Sequence, residues 1–171
     1  MSKKLIVLGI SLLWIAVAAG LIISKQDIMR NGKSVLLETM PVDPRDFLRG
    51  DYIVLRYKIS TLDLEKVESG EKYFDRNKRV YVKLQPQGKF WEAVSVHSSK
   101  PESGDGIYMK AKVQYCYNHK VTLLYGIENY FVPEGEGKDI EKNMRGDKSS
   151  VVVEAVVDKS GNAIIRNISV H

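Results

Sequence analysis

The chain has one cysteine, Cys116, which excludes an intrachain disulfide and the paired-cysteine metal and redox motifs. Its setting, Tyr115-Cys116-Tyr117 in a strand-like run, predicts a small packed residue, and pairing between two chains stays open. Also missing are the strings that carry common chemistries: G-x-S-x-G, H-E-x-x-H, G-x-x-x-x-G-K-[ST] and G-x-G-x-x-G. The histidines, His97, His119 and His171, fall at a strand end, a turn and the C-terminus, where solvent exposure is expected rather than a zinc site. Charge of one sign is not in large excess. The 26 basic and 21 acidic residues give a net charge of +5 and are interleaved, as in Arg45-Asp46 and Asp75-Arg76, which argues against a nucleic-acid partner. A second long hydrophobic run is absent too, so everything after the first is expected on one side of any membrane.

That first run is the clearest feature present. Lys3 and Lys4 precede nineteen uncharged residues, Leu5 to Ile23. At about 1.5 Å per helical residue these nearly cross a hydrocarbon core of ~30 Å. A cleaved signal peptide would use Ala16-Val17-Ala18, but Leu21, Ile22 and Ile23 carry the apolar run past that point and favour a retained anchor. The expected organisation is an anchor over residues 1–24, a linker over 25–33 and a domain over 34–171. The expected topology is a single-pass membrane protein with its C-terminal domain extracytoplasmic. Lys25, Arg30 and Lys33 would then stand near the headgroups.

Beyond the linker, 44% hydrophobic and 27% charged residues describe a globular chain, and the apolar pattern changes to short runs of period two. Strands are predicted over Val35–Thr39, Tyr52–Ile59, Arg79–Leu84, Trp91–His97, Tyr108–Tyr117, Val121–Ile127, Val151–Val157 and Ala163–Val170. Gln87-Gly88, Asn118-His119 and Ser160-Gly161-Asn162 supply hairpin turns. Helices are predicted around Leu62–Ser69 and Lys138–Arg145. The nearly unbroken Val151–Val157 run reads as a central strand covered on both faces. The fold class expected is mainly β with an N-terminal transmembrane helix, an antiparallel barrel or sandwich with one or two short helices.

Two segments stand out as functional. Between Pro41 and Tyr52, Asp43, Arg45, Asp46, Arg49 and Asp51 crowd a loop that Pro41 and Pro44 stiffen and Gly50 ends. Such a loop holds either an internal network of Arg-carboxylate pairs or a charged grip on a partner. The second, Tyr125 to Lys138, carries Tyr130 and Phe131 followed by Glu134 and Glu136 in a Gly-rich turn. Its acidic spacing does not match a calcium-binding loop, and neither metal nor cofactor is expected. The aromatics Tyr115, Tyr117, Tyr125, Tyr130 and Phe131 are expected to serve packing ahead of ligand binding.

Gly50-Asp51-Tyr52-Ile53-Val54-Leu55-Arg56-Tyr57 reproduces every fixed position of the bacterial GDYXXLXY family, and Gly126-Ile127-Glu128 with Tyr130 to Gly137 resembles that family's second signature. The resemblance covers nearly the whole domain. It implies a membrane-anchored accessory protein and, as partner, a polytopic integral membrane protein of the kind encoded beside or fused to such chains. It supplies no catalytic residues.

Enzyme readings are weaker. Met40-Pro41 with Gly50-Asp51 loosely resembles a strand of type I signal peptidases, but the nucleophile position holds Thr39. Ser69-Gly70-Glu71-Lys72 satisfies S-x-x-K in a polar loop, not at the start of an apolar helix. The reading adopted is an accessory domain that docks through Asp43, Arg45, Asp46, Arg49, Asp51, Tyr52, Tyr130, Phe131, Glu134 and Glu136. The alternatives are an envelope glycan- or lipid-binding module and a hydrolase using the Asp cluster.

Overall fold

Leucine, isoleucine and alanine without proline favour a helix, and in lipid a helix alone satisfies its own backbone. The structure, a computed structural model, describes residues 3–40, 52–101, 106–131 and 151–170. Its α1 runs Lys3–Asn31, and among the described residues none covers the apolar part, with Val7, Trp14 and Leu21 all more than 60% exposed. The stretch from Val7 onward is long and apolar enough to cross a membrane. The helix continues through residues 25–31, read from the sequence as linker. The reason lies in its last turns, where Ile28 is buried against the domain and Arg166 of the last strand donates to the Met29 carbonyl at 2.8 Å.

The strands are β1 (Lys33–Glu38), β2 (Tyr52–Val54), β3 (Thr61–Asp63), β4 (Glu68–Ser69), β5 (Arg79–Gln87) and β6 (Phe90–His97). They continue with β7 (Ile107–Tyr117), β8 (Lys120–Leu124), β9 (Asn129–Phe131), β10 (Val151–Val157) and β11 (Ala163–Val170). One sheet has the order β1-β10-β11, a second β3-β8-β7-β5-β6-β4, and β2 pairs with β9 alone. All pairings are antiparallel except β4 with β6. The six-stranded sheet curls into a half-barrel, so the fold is a mainly β domain behind one N-terminal helix.

Alternation decides which side chains fill it. On β7, Ile107, Met109, Ala111 and Val113 face inward while Lys112 and Gln114 face solvent. They meet Val80, Val82 and Leu84 of β5, Val35 and Leu37 of β1, and Val151, Val153 and Ala155 of β10. Among the described residues these aliphatic side chains fill the space between the sheets. As its apolar run predicted, β10 is central and buried on both faces, with Val156 covered by the helix end.

Two expectations need correction. Leu62–Ser69 is not helical: Thr61–Asp63 pairs with β8 and buries Leu62, and Asp63 then holds a single turn. Its carboxylate accepts from the Glu65 N–H at 3.1 Å and its carbonyl from the Lys66 N–H at 3.0 Å. Tyr52–Ile59 is not one strand either, because Lys58–Ser60 forms a 3-10 turn in which the Tyr57 N–H donates to Ser60 Oγ at 3.2 Å. The Lys138–Arg145 helix lies outside the described residues.

Candidate docking site

The two signature segments meet. In the β2–β9 ladder Tyr52 lies opposite Phe131, Ile53 opposite Tyr130 and Val54 opposite Asn129. Past its end the strings stay joined, the Leu55 N–H donating to the Glu128 carbonyl at 2.7 Å. Each string then sends a tyrosine across. Tyr57 Oη donates to the Ile127 carbonyl at 2.6 Å, and Tyr125 Oη to the Ile59 carbonyl at 2.7 Å.

These contacts form a reciprocal clasp with a buried interior. Tyr57 is fully buried, Leu55 is 2% exposed, and Tyr125 and Ile127 are nearly as enclosed. Burial pushes both phenols up, with the Glu128 charge adding to it, so each is a fixed donor. Glu128 closes the loop locally: its carboxylate accepts the Tyr125 N–H at 2.5 Å and the Gly126 N–H at 2.9 Å. Gly126 has φ +81°, a conformation that favours glycine, which explains its place two residues before the glutamate.

The clasp is held on the far side of the domain from α1. The Met40 N–H donates to the Arg56 carbonyl at 2.7 Å, next to a bridge between Thr39 and Tyr57. Both follow the Glu38 end of β1, a strand whose six residues extend roughly 20 Å from the helix junction. A cleft of about 520 Å³ opens beside the clasp, lined by Arg79, Lys110, Lys112, Tyr125, Gly126 and Glu128 among others.

Of the residues singled out from sequence, Tyr52 is in β2, Tyr130 is half-buried against the core, and Phe131 is 76% exposed. Asp43, Arg45, Asp46, Arg49, Asp51, Glu134 and Glu136 lie outside the described residues. Sequence reasoning did not single out Tyr57, Ile127 or Glu128 as partners. The signal was present in the spacing, since Leu55 and Tyr57 are fixed positions two residues apart and so share a face.

The remaining candidates have structural occupations. Thr39 is buried, and its Oγ1 donates to the Val151 carbonyl at 2.8 Å. Ser69 Oγ donates to the Glu71 carbonyl at 2.7 Å within a local turn, while Lys72 points to solvent. Cys116 is half-buried, whereas Tyr115 and Tyr117 are exposed and do not pack as expected. His97 hydrogen-bonds Ser95 Oγ at 2.8 Å, and the exposed His119 takes φ +59° in the β7–β8 turn. Among the described residues, no group of three or more His, Cys, Asp or Glu is placed to hold a metal ion. Glu71 lies below its usual pKa because Ser98 and Lys78 hydrogen-bond its carboxylate, and Glu154 because of Ser34 and then Arg166. Both shifts run opposite to what a general acid needs.

These features define a class: a half-barrel β domain carried on one membrane-length N-terminal helix and closed by a two-segment clasp. The family model described as GDYXXLXY protein matches residues 14–168, and the chain belongs to the GDYXXLXY family. Comparison with curated proteins and with solved structures gave no match.

Proposed function

We propose that the chain is a membrane-anchored accessory protein whose β domain lies extracytoplasmically and docks, at the clasp, on a polytopic integral membrane protein. The observation that carries this reading is the clasp itself. Its buried Leu55, Tyr57, Tyr125 and Ile127, with Glu128 closing the loop, hold the two signature segments together. On this reading Asp43, Arg45, Asp46, Arg49 and Asp51, with Glu134 and Glu136, which lie outside the described residues, are the charged groups proposed to recognise the partner. The adjoining cleft adds Arg79 and Lys112, both exposed, which favour a partner loop bearing carboxylates.

The same cations favour a second reading, an envelope ligand carrying anionic groups and bound on the surface, since the interior is packed. Co-purification from native membranes in mild detergent separates the two. The wild type is expected to retain a polytopic membrane protein, and Arg79→Glu with Lys112→Glu to lose most of it with an unchanged melting temperature. Retention of the same partner by the charge-reversed variant refutes docking at this cleft. Absence of any partner, with a bound anionic glycan in its place, supports the second reading.

A further inference from the structure

A second cleft, of about 350 Å³, opens at the other end of the domain where α1 joins β1. Lys33, Lys100 and Lys159 line it beside Asn31, Tyr108 and Asp158. The three lysines come from sequence positions far apart, and the fold brings them together. Lys100 Nζ donates to the Lys159 carbonyl at 2.5 Å, which ties two rims of the cleft.

More positive charge stands behind this lining. Lys83 packs against Gly106 at the cleft wall and holds its ammonium 6.0 Å above the Tyr108 ring. The one carboxylate in the described lining, that of Asp158, is already engaged. It accepts the Asn162 N–H at 2.8 Å and the Asn162 Nδ2 group at 2.7 Å. On the helix, Arg30 and Lys25 add cations, and the carboxylate of Asp27 accepts from Asn31 at 2.6 Å. Among the described residues the helix end of the domain is therefore cationic, and its acids are occupied by local hydrogen bonds.

The height of this cleft above a bilayer follows from the helix. Ile23 ends the apolar run, and Asn31 on the cleft wall is eight residues further on, about 12 Å along the axis. The headgroup layer is about 5–7 Å deep per leaflet, so the cleft mouth stands within a Debye length of ~8 Å of its outer edge. An extended lysine side chain spans the gap.

We propose that this cleft takes the phosphate of an anionic phospholipid from the bilayer that holds α1, with Lys33, Lys100 and Lys159 as its ligands. The proposal rests on α1 spanning the membrane, the reading given above, and is independent of what docks at the clasp. Lipid capture here would fix the domain's tilt on the membrane.

The test uses the full chain in nanodiscs of phosphatidylcholine, with and without phosphatidylglycerol, and follows amine labelling by a water-soluble reagent residue by residue. Expected is protection of Lys33, Lys100 and Lys159 in the anionic discs alone, with Lys120 at the remote β7–β8 turn labelled equally in both. The protection should vanish in high salt. Lys100→Gln with Lys159→Gln should weaken phosphatidylglycerol retention, read by native mass spectrometry, by about fivefold for each lysine removed. Equal labelling of an inserted chain in both kinds of disc overturns the lipid site alone. Equal protection by glycerol phosphate added to neutral discs overturns the lipid as its source. A chain that stays outside the discs overturns the membrane reading and this site with it.

Discussion

Two tyrosines join the signature segments through their hydroxyls. Tyr57 Oη is the donor to the buried Ile127 carbonyl, so Tyr57→Phe removes that acceptor's donor from a buried site. The expected loss is about 1–3 kcal/mol, read from urea melts of the detergent-solubilised protein; an unchanged midpoint would show that the clasp bond contributes nothing. Acid should act elsewhere, at Glu154, whose pKa is lowered first by Ser34 Oγ at 2.6 Å and then by Arg166 at 3.2 Å. A carboxyl with its folded pKa below the unfolded value contributes stability above the unfolded pKa and loses it as pH falls through the folded one. Stability should therefore decline below about the ordinary value of 4.5, and Glu154→Gln should flatten that decline. The effect is small because the group faces solvent, and identical acid profiles for wild type and variant would refute the assignment. Residue roles were only partly legible from sequence. The tyrosines read correctly as packing residues at Tyr125 and incorrectly at Tyr115 and Tyr117, because strand alternation says that a face is shared and not which face meets a core.

Strands with strong alternation or an unbroken apolar run, β5, β6, β7, β10 and β11, were visible in the sequence to within a few residues. Those missed, β3, β4 and β9, are two or three residues long and take their pairing from tertiary neighbours, below the length at which periodicity can register. The same limit hid the helical character of residues 25–31, whose stability comes from Ile28 and Met29 meeting the domain. At this junction Gly32 is the tightest point. A Cβ there would lie 2.4 Å from Val156 Cγ1 and 2.6 Å from the Ile28 carbonyl oxygen. Gly32→Ala should push the helix end off β10 at a cost of about 1–3 kcal/mol, and raise proteolytic cleavage near residue 32. An unchanged cleavage rate would mean that helix and domain are not rigidly joined.

Among the described residues, the arrangement is polar in the geometric sense: a membrane-length helix and a cationic cleft at one end, and the clasp at the other. The sequence indicated that both signature segments matter. It could not indicate that they are neighbours, because the paired residues Tyr52 and Phe131 lie 79 positions apart (131 − 52). Long-range pairing of this kind is set by closure of the whole fold. The decisive measurement is site-specific photo-crosslinking in native membranes, with a photoreactive phenylalanine at position 131 beside the clasp or at position 117 on the β7–β8 hairpin, both more than 70% exposed. Docking at the clasp predicts an adduct with one polytopic membrane protein from position 131 and none with that protein from position 117. Equal adducts from both positions, or none from position 131, would contradict it.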